Sequence, residues 1–108
     1  MIEEVTPESP KLIPESLVIH SEGELKKGLY YYVITAVGEK ESIPSHILQV
    51  YVPNKENSIE FEWSYVPGTF EYRVYRGTTL GKYSGYFTTH IEWFCDNGVE
   101  MLNENVCK

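Results

Sequence analysis

Gly28-Leu29-Tyr30-Tyr31-Tyr32-Val33-Ile34-Thr35-Ala36-Val37 is the stretch whose side chains decide the fold. Aromatic and β-branched residues suit a pleated surface and are poor helix formers when they come in a run. Period-two sorting places Tyr30, Tyr32, Ile34 and Ala36 on one face. Leu29, Tyr31, Val33, Thr35 and Val37 fall on the other. Both faces are apolar enough to be covered, so the stretch predicts a central strand.

Downstream, Gly38-Glu39-Lys40-Glu41-Ser42 is a charged loop that runs into Ile43-Pro44-Ser45. Ile47–Val52 is the next strand, halted by Pro53-Asn54-Lys55-Glu56-Asn57. Ser58–Ser64 alternates cleanly: Ile59, Phe61 and Trp63 point one way and Glu60 and Glu62 the other, which predicts one dry and one wet face. Val66-Pro67-Gly68-Thr69 is a turn, with proline presetting φ and glycine tolerating a positive value. Phe70–Arg76 alternates again, with Phe70, Tyr72 and Val74 against Glu71, Arg73 and Tyr75. It echoes Tyr30, Tyr32 and Ile34 forty residues on, a hint that the two strands pair. Tyr83–Thr88 and His90–Phe94 complete the strands, and Asp96-Asn97-Gly98 is strong turn chemistry. Upstream, Ser21-Glu22-Gly23-Glu24 is a turn and Glu15–His20 a short strand. Residues 1–14 carry Pro7, Pro10 and Pro14 and predict an extended, weakly packed arm. The expected division is therefore an arm over 1–14, a sandwich over 15–98 and a tail over 99–108. Seven short strands with frequent turns and no amphipathic helix predict an all-β, antiparallel β-sandwich.

Composition narrows the function classes. At 108 residues the chain is sized for one domain. No apolar run approaches the ~20 residues of a membrane helix, so no membrane partner is expected. The acidic start, Met1-Ile2-Glu3-Glu4-Val5, lacks the apolar core of a secretory signal. A net charge of −7 argues against nucleic acid, whose binding relies on Lys and Arg displacing counterions. Fifteen of the sixteen acids are Glu, Asp96 being the exception, so no Asp-rich calcium loop exists. Cys95 and Cys107 have no CxxC partner for a metal. A disulfide between them and two free thiols both remain open.

Catalytic patterns are weak. His20, His46 and His90 are scattered, and no Gly-x-Ser-x-Gly elbow is present. Glu60 and Glu62 share a strand face at a spacing of roughly 7 Å. That resembles a glycosidase pair, but such a pair is also what any wet strand surface carries, with Arg73 and Arg76 on a neighbouring strand expected to neutralise part of it. Gly77-Thr78-Thr79-Leu80-Gly81-Lys82 falls short of a phosphate loop by one residue and leads into no helix. The expectation is a protein that is not an enzyme and takes no cofactor. The aromatics are more informative. Tyr31, Tyr75, Tyr83, Tyr86 and Trp93 exceed what a core this small absorbs, and exposed rings anchor protein interfaces or stack on sugars.

Several of these pieces together resemble a fibronectin type III-like, immunoglobulin-like domain. Trp63, Val66-Pro67-Gly68 and Tyr72-Arg73-Val74-Tyr75-Arg76-Gly77-Thr78 are similar to its second and third strands. Gly28 to Val37, followed by Glu41-Ser42, Pro44-Ser45 and a Val-rich strand, resembles its sixth and seventh. Phe94-Cys95-Asp96-Asn97-Gly98 is similar to the Phe-x-Asp-x-Gly that closes the next hairpin. The resemblance covers roughly residues 15–98, in permuted order, with the Tyr-rich pair ahead of the Trp strand. That order resembles modules of bacteriophage virion proteins and of bacterial surface proteins. It implies a structural, decoration or adhesion role in a virion, or alternatively at a bacterial cell surface. The implied partners are other virion or surface proteins, a second copy of the chain, or carbohydrate bound by the exposed rings. It brings no catalytic residues with it.

Overall fold

A computed structural model of the chain describes residues 5–83 and 85–98. Among them run seven strands: β1 (Leu12–Leu25), β2 (Gly28–Val37), β3 (Leu48–Val52), β4 (Asn57–Trp63), β5 (Glu71–Gly77), β6 (Tyr86–Thr89) and β7 (Trp93–Asp96). Every strand pairing is antiparallel. The strands form a three-stranded sheet, β1-β4-β7, and a four-stranded sheet, β3-β2-β5-β6. The chain passes between sheets after β1, β3, β4 and β6, as a β-sandwich requires.

β2 takes the central place its two apolar faces predict, with β3 on one side and β5 on the other. The echo between β2 and β5 is a true pairing, Ile34 opposite Val74 and Ala36 opposite Tyr72. Tyr30, Tyr32, Ile34, Val50, Ile59, Phe61, Trp63, Tyr72 and Val74 interdigitate between the sheets, with Phe87 and Phe94 beside them. Phe61 sits at the centre of the rings, 5.1 Å from Tyr32, 5.9 Å from Trp63 and 6.0 Å from Phe94.

Three expectations change. Phe70 does not extend the inward face of β5; it precedes the strand and is exposed, because its amide donates to Val37 O and holds it in the β4–β5 loop. β1 begins at Leu12, inside the stretch read as an arm, and Pro7 and Pro10 are buried. Missing amide donors matter little there, since the apolar rings fill space against the sandwich; a Cβ on Gly38 would meet Pro7 Cγ at 3.2 Å. The last two strands start three residues later than their composition suggests and end one and two later, β6 at Tyr86–Thr89 and β7 at Trp93–Asp96. Residues 1–4, Ser84 and the 99–108 tail lie outside the described residues.

β1 is long because it is slack. Leu12 and Ile13 pair with Trp63 and Glu62, and Val18–His20 with Glu60–Ser58. Four residues, 14–17, therefore face Phe61 alone, and four more, 21–24, fall between the partners of His20 and Leu25. The Ser16 hydroxyl fills the first bulge: it donates to Ile13 O at 2.6 Å and accepts from the Glu62 amide at 2.8 Å. Side-chain oxygens complete β2 as well. Beyond β3, the edge of β2 is closed by Ser42 and Ser45, whose hydroxyls accept from the Ala36 and Ile34 amides at 2.9 Å. Their own amides donate back to Ala36 O and Ile34 O.

Candidate interaction surfaces

The outward faces of β2, β5 and β6 carry the alternate residues that the core does not use. Tyr75 lies opposite Val33 and Tyr86, and its ring packs 5.3 Å from Tyr86 and 6.4 Å from Tyr83. The Arg73 guanidinium lies 4.6 Å over the Tyr86 ring, a cation–π arrangement that fixes both side chains. Glu41, from the loop after β2, reaches back over this face. It accepts from Thr35 Oγ1 at 2.7 Å, from Arg73 Nη1 at 3.1 Å and from the Tyr75 hydroxyl.

Partial burial raises the Glu41 pKa, but the hydrogen bonds from Tyr75 and Thr35 and the Arg73 charge outweigh it, so the carboxyl titrates below its usual range. Burial, then the hydrogen bond to Glu41, raises the Tyr75 phenol; burial alone raises Tyr83. Both phenols therefore stay neutral donors. A depression of about 280 Å³ opens among Val33, Thr35, Pro44, Tyr75 and Tyr83, with mostly apolar walls.

Of the five rings singled out in the sequence, Tyr75, Tyr83 and Tyr86 come together here. Tyr31 shares the face, opposite Gln49 and Gly77. Trp93 does not: β7 belongs to the other sheet, and its indole N–H donates to Glu60 Oε2 at 2.9 Å on the opposite side of the molecule. Glu60 also accepts from His20 Nε2 at 2.6 Å. The Trp93 and His20 hydrogen bonds lower its pKa. Arg73 and Arg76 do not neutralise Glu60 and Glu62, because β5 lies in the other sheet; Arg73 pairs with Glu41 and Glu71, and Arg76 with Asp96.

Asp96 is the group whose importance the sequence hides. It is buried, and accepts from Tyr32 Oη at 2.6 Å, Arg76 Nη1 at 2.8 Å and the Gly98 amide at 3.0 Å. It thus ties β7 in one sheet to β2 and β5 in the other. Its place in a turn motif gave the only signal. Cys95 is buried beside it; the pairing with Cys107 falls outside the described residues. Among the described residues no cluster of three His, Cys, Asp or Glu side chains is disposed to hold a metal ion.

A second surface lies at one end of the sandwich. Val5, Tyr65, Phe70 and Ile91 are 70%, 67%, 70% and 55% exposed. Their loops are drawn together: the His90 ring donates to Phe70 O at 3.2 Å, Phe70 N to Val37 O, and Gly38 approaches the Gly68 carbonyl closely enough that a Cβ would overlap it. Pro7, two residues from Val5, packs against the same Gly38. Exposed apolar side chains on adjoining loops are the kind of surface that interaction sites use.

These features define an all-β sandwich of two antiparallel sheets with an aromatic face, crossed by the Glu41–Arg73 pair, and an exposed apolar end. Comparison with protein-family models, with curated proteins and with solved structures finds no match to the chain.

Proposed function

We propose that this chain is a non-catalytic structural and interaction module with an immunoglobulin-like, fibronectin type III-like sandwich, working by protein–protein contact in a bacteriophage virion. The apolar end formed by Val5, Tyr65, Phe70 and Ile91 is the observation that carries it, because those side chains stand on adjoining loops and gain from being covered by a neighbouring subunit. The three-plus-four division of strands, the crossings between sheets and the Tyr-rich strand lying beside Tyr72–Arg76 support the immunoglobulin-like part.

Mass spectrometry of purified particles tests the location. Peptides of this chain are expected in the particles, and the Phe70→Ser/Ile91→Ser variant is expected to be left out while staying folded. Recovery in the cell envelope instead would favour a bacterial-surface role, and recovery only as free protein would sink both.

The contact of Tyr75, Tyr83 and Tyr86 favours a second reading, a carbohydrate- or receptor-binding face. On a glycan array that reading expects a hit lost in Tyr83→Ala and Tyr86→Ala. Unchanged or absent binding removes it.

A further inference from the structure

A further apolar depression lies on neither of these surfaces. It opens along the seam between the two sheets, about 300 Å³, walled by the β1 bulge (Ile13, Pro14, Leu17) and by Ile47 and Leu48 at the start of β3, and it reaches Phe61 of the core. The bulge creates it. With residues 14–17 looped opposite a single β4 residue, β1 cannot close over the inner face of β3. β3 is the terminal strand of its sheet and, among the described residues, pairs with β2 alone, which leaves its other edge beside the depression.

We propose that this seam accepts an extended acidic–apolar peptide of a partner protein, added as a strand along β3 with an apolar side chain seated in the depression. Strand addition uses both features at once: main-chain hydrogen bonds to an open edge supply affinity and a pocket for alternate side chains supplies selectivity. Leu48, Val50 and Val52 alternate inward along β3, so every second residue of an added strand faces the seam.

Charge names the partner's chemistry. Among the described residues the ionisable groups lining the depression are Lys11 and His46, with no carboxylate beside them, in a chain of net charge −7 with sixteen acids. A peptide carrying carboxylates between its apolar residues meets the opposite charge of Lys11 at this rim, and a basic peptide meets a like charge. The inference rests on the reading of the chain as an interaction module but uses a different surface from the apolar end, so particle incorporation can fail while peptide binding holds, and the reverse.

The experiment titrates labelled protein with a capped peptide of alternating isoleucine and glutamate, its isoleucine–lysine counterpart, and the glutamate peptide N-methylated along one edge. Shifts are expected at the Leu12, Leu17, Ile47 and Leu48 methyls, with slowed amide exchange along β3. Affinity is expected to fall at least about tenfold for the lysine and N-methylated peptides, a difference of about 1.4 kcal/mol each. Leu17→Lys and, independently, the more exposed Ile47→Lys should abolish binding with the fold intact by circular dichroism. Equal binding of the N-methylated peptide, shifts confined to the tyrosine face, or no shifts at all would overturn the proposal. So would a dimer in sedimentation that Ile47→Lys dissolves without any peptide binding, since the occupant would then be a second copy.

Discussion

Asp96 shows how one buried carboxylate governs the packing of both sheets. Removing its cation leaves a charge with no counter-ion inside the sandwich, and that is costlier than removing a neutral donor. Arg76→Ala is accordingly expected to lose about 3–5 kcal/mol, and Tyr32→Phe about 1–3 kcal/mol, measured by denaturant titration. A reversed order would mean that the Tyr32 hydroxyl, not the guanidinium, holds the sheets together. Trp63 is a contrasting case. Its ring is almost fully buried and packs 5.3 Å from Tyr72, yet its buried indole N–H has no hydrogen-bond partner among the described residues. Its contribution is therefore bulk. Trp63→Ala is expected to cost about 3–5 kcal/mol. Trp63→Phe, which removes the orphaned donor and keeps an aromatic body, should cost less than about 2 kcal/mol.

At the level of strands and loops, stability depends on hydroxyls standing in for backbone partners. Ser42→Ala and Ser45→Ala each leave a buried β2 amide unpaired, with an expected loss of about 1–3 kcal/mol apiece. Hydrogen exchange should quicken at Ala36 in the first variant and at Ile34 in the second. Between β1, β4 and β7, Glu60 gives an acid-dependent contribution. Its pKa is depressed in the fold by Trp93 and then His20, so its stabilisation is present above the ordinary glutamate value of about 4.3 and fades as pH falls through the lower folded value. Glu41 follows the same sign. In urea titrations across the acid range, Trp93→Phe should flatten the loss of stability on acidification; an unchanged acid limb would show that the bond to Glu60 contributes nothing.

What the sequence reveals about these elements follows from locality. β2 and β4 were legible because period-two alternation is written in consecutive residues, and Ile59, Phe61 and Trp63 face inward as it demands. β6 and β7 were displaced because partners far along the chain set their ladders: Tyr75 opposite Tyr86, and Phe61 opposite Phe94. Ser42, Ser45 and Glu41 read as loop residues because their bonds to β2 and β5 arise only once the loop folds back over that face. Arg73 and Arg76 were assigned to the wrong carboxylates for a related reason. Alternation says which face of a strand a charge occupies, but not which sheet the strand joins. Of the aromatic face, composition flagged surplus rings, and only topology could separate Tyr75, Tyr83 and Tyr86 from Trp93.

At the largest scale, the sandwich of the described residues carries its apolar end in the loops and its seam along one flank. Exposed apolar side chains contribute little to folding, so Phe70→Ser/Ile91→Ser should shift the melting temperature only slightly while weakening association. A large drop would mean that these side chains are packed in the free protein. The slack in β1 has a mechanical consequence. A chain tugged from its N-terminal side loads the Leu12–Trp63 and Ile13–Glu62 pairs first; once they part, the looped residues 14–17 straighten before the pairs of Val18–His20 bear the load. At about 3.3 Å per extended residue, the six residues 12–17 give up on the order of 20 Å in that first step, while the rest of β1 still holds the sandwich closed.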